Sequence, residues 1–100
     1  MYQCISVAHI KPQTLEDVLT AARIVAEETR KQEGNLSYCV VKPEDRDDIL
    51  IITEIWETKA NFEAHIAHAN EEGDLVFEFG KVMEAAASAP PELYPSEVLI

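Results

Sequence analysis

The residues best suited to chemistry in this sequence are Glu54, Trp56 and His65. Histidine is the one side chain whose ordinary pKa lies near neutrality, so His65 is the candidate to take or give a proton. It lies at helical spacing from Phe62, Ile66 and Ala69, a face expected to turn toward a sheet. Glu54 and Trp56 are two apart in a β-rich run and so share one face of a strand. An indole there can stack on a planar substrate. A carboxylate set between Ile52 and Trp56 must be paired, protonated or at a rim if it is buried, and it could hold the indole or a nearby histidine. Tyr38 offers a phenolic hydrogen bond, Phe62 an aromatic wall, and His9 could reach the same cavity from the first strand. Each has a plainer reading as well: His65 as a buried ring bonded to a backbone carbonyl, Trp56 as core packing.

His65 and His68 are three apart on the same helix, a spacing that can share a metal ion. Glu71 and Glu72 are near, but no third ligand stands at a convincing spacing, and no metal site is expected. The sequence has no phosphate-binding glycine loop, no Gly-x-Ser-x-Gly elbow and no dinucleotide fingerprint, so hydrolase and nicotinamide-enzyme readings lack support. Cys4 and Cys39 lie in no metal-binding spacing, both fall in strand-like runs, and buried free thiols are the expectation.

The elements that must position these groups can be read in order. Tyr2 to Lys11 alternates as a strand, with Ile5, Val7 and His9 on one face and Cys4, Ser6 and Ala8 on the other. Thr14-Leu15-Glu16-Asp17 has the form of a capping box, and Leu15, Val18, Leu19, Ala22, Ala26 and Thr29 make the apolar stripe of a helix that Gly34 stops. Leu36–Lys42 and Ile49–Glu57 form two strands joined by a polar segment. The second is apolar on both faces, as expected of a strand covered on each side. Thr58 can cap the helix of His65, and a further helix runs from Leu75 to Ala86, where Pro90 and Pro91 forbid extension. The tail Glu97–Ile100 has the character of a short edge strand. The order is the split β-α-β arrangement of an α+β, ferredoxin-like fold, expected to fill residues 1–100 as one domain.

With 19 acidic against 8 basic residues the formal net charge is −11, and no cationic cluster stands out. Nucleic acid and anionic membranes are therefore poor partners. No apolar run approaches a membrane span, no secretory signal is visible, and a cytoplasmic location is expected. A chain of this length buries only roughly 60–70% of its unfolded surface, and a second copy covering the doubly apolar strand would add to that.

Three segments together carry a resemblance: Glu33-Gly34-Asn35-Leu36-Ser37-Tyr38, Ile52-Thr53-Glu54-Ile55-Trp56-Glu57, and Ala60-Asn61-Phe62-Glu63-Ala64-His65. The Glu-Gly turn into a Tyr-bearing strand, the Glu-x-Trp strand end and a helical histidine nine residues later resemble the antibiotic-biosynthesis-monooxygenase family. That resemblance implies a dimeric α/β barrel, a pocket between sheet and helices, and oxidation of aromatic or quinol-like compounds by dioxygen without a prosthetic group. It implies no cofactor here. Haem is not expected, because Leu75 stands where the haem-degrading branch places its axial histidine. The expected function is a cofactor-independent monooxygenase of a small aromatic or quinol-like compound, acting as a homodimer. His65 is the proton-transfer group, and Trp56, Phe62, Tyr38, Glu54 and His9 contact the substrate. An isomerase or a non-catalytic small-molecule-binding dimer are the alternatives on the same fold.

Overall fold

A computed structural model describes residues 1–100. Four strands, β1 (Tyr2–His9), β2 (Asn35–Val41), β3 (Ile49–Trp56) and β4 (Glu92–Glu97), form one antiparallel sheet in the order β2-β3-β1-β4. Helices α1 (Leu15–Thr29), α2 (Lys59–Ala67) and α3 (Leu75–Ala86) fill the connections, and the expected α+β, ferredoxin-like arrangement is observed. No helix is long and apolar enough to cross a membrane.

Strand alternation decides which residues meet the helices. Cys4 and Ala8 of β1, Tyr38 of β2, and Leu50, Ile52, Glu54 and Trp56 of β3 are buried on one face. They pack under Val18, Val25 and Ala26 of α1 and Val76, Phe79, Val82 and Ala86 of α3. Each fully buried aliphatic contributes about 1.5–3 kcal/mol, so this single layer of contacts carries the fold. The opposite face holds Ile5, Val7, Ile49, Ile51 and Ile55, none of them buried. The doubly apolar character of β3 is thus covered on one side only within the chain.

Two local expectations are corrected. Thr14 does not cap α1 with its side chain; its hydroxyl donates instead to the Lys11 carbonyl at 2.6 Å, closing a 3-10 turn over Pro12–Thr14 that leads into the helix. The last strand is Glu92–Glu97, not the tail beyond it. Pro95 lies inside this strand opposite Cys4, where its missing N–H is harmless because β4 is an edge. By contrast Thr58 caps α2 as expected, its Oγ1 accepting from the Asn61 N–H at 3.1 Å. Gly34 sits at φ 81°, and a β-carbon there would collide with the Asn61 side chain, so the turn before β2 demands glycine on two counts.

Candidate active site

The site forms where β3 ends beneath α2. Register places Glu54 between Cys4 of β1 and Tyr38 of β2, all three on the helix-covered face. Trp56 is fully buried, and its indole N–H donates to Glu54 Oε1 at 2.9 Å. This is the pairing that a carboxylate between two apolar residues requires. His65 is the one buried residue of α2. Its ring lies 5.0 Å from the Trp56 ring at an interplanar angle of 37° and meets Tyr38 edge-on at 6.4 Å.

The second support of His65 comes from the turn after α1. Gln32 Oε1 lies 2.7 Å from His65 Nδ1. An amide oxygen only accepts, so Nδ1 carries the proton and Nε2 keeps its lone pair. Nε2 lies 3.8 Å from Glu54 Oε1. Gln32, Trp56, Asn61, Ala64, His65 and His68 with Glu33 line a cavity of about 200 Å³, below the roughly 300–1,000 Å³ of sites for drug-sized ligands. It suits a compact molecule.

Burial sets the charges. Desolvation holds His65 down to about 4, helped by the nearby His68 and opposed by Asp74, so the ring is neutral at pH 7 and able to accept a proton. Desolvation raises Glu54 above the ordinary carboxylate range, offset by the Trp56 hydrogen bond. It also raises the Tyr38 phenol, with Glu54 adding to the shift, so that hydroxyl stays protonated. The Cys4 thiol is pushed up by the same two causes and is no nucleophile. The arrangement is a neutral base beside a carboxyl that resists ionising, within an aromatic box.

Among the expected residues, His65, Trp56, Glu54 and Tyr38 come together, though Glu54 and Tyr38 support the site from the sheet rather than lining the cavity. Phe62 does not wall it: the ring packs on Tyr2 at 5.2 Å. Ile66 is exposed, so α2 turns only His65 fully inward. His9 stands apart. It projects from the other face of the sheet, its Nε2 2.8 Å from Glu92 Oε2, and borders a different cavity. That cavity is larger, about 550 Å³, between the end of β1, α3 and residues 87–91. It is lined mainly by small and apolar groups such as Ala8, Ile10, Gly80, Met83 and Ala87 and contains no buried acid–base pair, which the smaller cavity has beside it. Cys39 is exposed rather than buried, and both cysteines are free thiols.

Residues 1–79 match the family model described as antibiotic biosynthesis monooxygenase. The chain belongs to this family. Among solved structures, a provisionally named antibiotic biosynthesis monooxygenase from Nitrosomonas europaea superposes with a TM-score of 0.87 at 19% identity, over 100% of both chains. A second antibiotic biosynthesis monooxygenase gives 0.85 at 19% identity, again over 100% of both chains. A conserved protein from Methanosarcina mazei Go1 gives 0.84 at 20% identity over 95% of this chain and 89% of its own. At such identities the likeness establishes the antibiotic-biosynthesis-monooxygenase fold, not the substrate. No curated protein matches significantly.

Proposed function

We propose that this member of the family is a cofactor-independent monooxygenase that oxidises a small aromatic or quinol-like compound with dioxygen. The observation that carries the reading is His65: buried, neutral, held at Nδ1 by Gln32, with its unprotonated Nε2 3.8 Å from Glu54 and its ring on the wall of a cavity shared with Trp56. His65 Nε2 takes the proton of a phenolic hydroxyl, and the resulting electron-rich ring gives electrons to dioxygen. One oxygen atom enters the product. The other leaves as water with two hydrogens from the substrate, so no external reductant is required. Trp56 backs the cavity behind His65, and Glu54 fixes the indole in place. Oxygen uptake with a panel of quinols and phenols tests the reading: consumption of one O₂ per product supports it. The Glu54–His65 pair also suits proton shuttling in an isomerisation, and turnover without oxygen uptake would select that alternative.

The same reading includes a homodimer joined through the bare sheet face. Ile5, Val7, Ile49, Ile51 and Ile55 form a contiguous apolar surface of the kind that soluble chains cover by association. Light scattering at micromolar concentration is expected to give twice the 11.2 kDa chain mass, and Ile51→Glu is expected to shift it toward the monomer. A monomeric parent protein would overturn the assignment.

A further inference from the structure

We infer that His68, Glu71 and Asp74 form a binding site for one divalent transition-metal ion of the zinc class. The three residues lie where α2 gives way to a single 3-10 turn (His68–Asn70) and α3 begins. Asp74 caps α3 with Oδ1, which accepts from the Val76 N–H at 2.8 Å, and its Oδ2 stands 3.1 Å from His68 Nδ1. Glu71 Oε2 stands 3.4 Å from the same nitrogen. One ligand atom from each residue lies within 4.8 Å of the other two. Gly73, at φ 88°, provides the left-handed bend in the connecting loop.

A second, independent observation concerns the nitrogen itself. Although 40% of the His68 side chain is exposed, Nδ1 is sealed from solvent and makes no hydrogen bond, even with two carboxylate oxygens this near. An imidazolium held by two carboxylates aims its N–H along the axis to one of them. Ligands of a shared ion stand differently: the ion occupies the lone-pair axis and the other donors flank it. Zinc bonds of about 2.0–2.2 Å in a tetrahedron separate donor atoms by roughly 3.3–3.6 Å; the Glu71 distance of 3.4 Å falls on that edge and the Asp74 distance of 3.1 Å is a little short of it. One imidazole with two carboxylates suits zinc and its neighbours, whereas calcium and magnesium prefer oxygen alone. The site adjoins the acid–base pair, since His68 also lines the cavity of His65, but it does not use His65, whose Nδ1 is already engaged by Gln32. The ion would tie the end of the helix that carries His65 to the start of α3.

Calorimetric titration of zinc into chelator-treated full-length protein at pH 7 tests the assignment. One ion per chain should bind saturably, and zinc at tenfold its Kd should raise Tm by at least about 5 °C, with no rise from calcium or magnesium. His68→Ala should abolish binding. Glu71→Gln, which removes a ligand but no helix cap, should weaken it at least about tenfold, and His65→Gln should leave it unchanged. Absence of binding heat would overturn the proposal. So would full affinity in both His68→Ala and Glu71→Gln, or loss of binding in His65→Gln, which would move the ion to Glu54 and His65.

Discussion

Replacing His65 by Gln is expected to lower turnover of a confirmed substrate by about 10²–10⁴-fold, the usual loss when a general base is removed. Gln keeps polar atoms within the ring's reach and can still meet Gln32 Oε1, so the fold should survive. His65→Ala opens space against Trp56 and leaves Gln32 without its partner, and its Tm should fall further than that of the Gln variant. Parental turnover in the Gln variant would make His65 a packing residue. A stability profile adds an independent readout. The folded pKa of about 4 lies below the ordinary 6.5, so between these values the unfolded chain binds more protons. The stabilisation from a neutral buried His65 is therefore complete above pH 6.5 and is lost as pH falls through that window toward 4. His65→Gln should flatten this slope. Glu54 acts in the opposite sense, since its raised pKa makes its contribution greatest at low pH and lost as pH rises. Comparing the parent with the Gln variant isolates the histidine because Glu54 is present in both.

The parts of this site that were legible in the sequence are those that follow from strand period and composition. Glu54 and Trp56 had to share a face, and a carboxylate among apolar neighbours had to find a partner; the indole N–H is that partner. Gly34 and the Thr58 cap were equally readable because each answers to a local backbone need. What the pattern could not show depends on contacts between distant segments. Gln32 looks like an ordinary polar residue at the end of a helix, yet the Gly34 turn brings it to His65, 33 positions away. Helical spacing placed Phe62 and Ile66 beside His65, but α2 is short and buries only the histidine, leaving Phe62 on Tyr2 at the start of β1 and Ile66 exposed. His9 was allotted to the site although alternation already set it on the Ile5 and Val7 face; the structure follows the alternation. The apolar tail from Glu97 to Ile100 reads as the last strand by composition, but the strand is Glu92–Glu97, which admits Pro95 because it is an edge.

Trp56 should be the most sensitive position for stability, because it is both the largest fully buried side chain and the only hydrogen-bond donor to Glu54. Trp56→Ala is expected to cost about 3–5 kcal/mol from the cavity alone, close to the whole stability of many small domains, and the variant should be largely unfolded or insoluble. Trp56→Phe separates the two roles. Phe keeps most of the packing but leaves the Glu54 carboxyl without its donor, a further loss of about 1–3 kcal/mol. Urea melts at one fixed protein concentration give the values, since association would otherwise shift the midpoint. The decisive comparison is a cycle with Glu54→Met, which removes the acceptor while keeping an apolar side chain of similar reach. If the indole N–H stabilises the fold through Glu54, Trp56→Phe should cost less in the Met background than in the parent, with a coupling of at least about 0.5 kcal/mol. Equal costs in the two backgrounds would show that Trp56 acts through packing alone. In that case the position of Glu54 beside His65 must be fixed by its neighbours across the sheet, Cys4 and Tyr38, rather than by the indole.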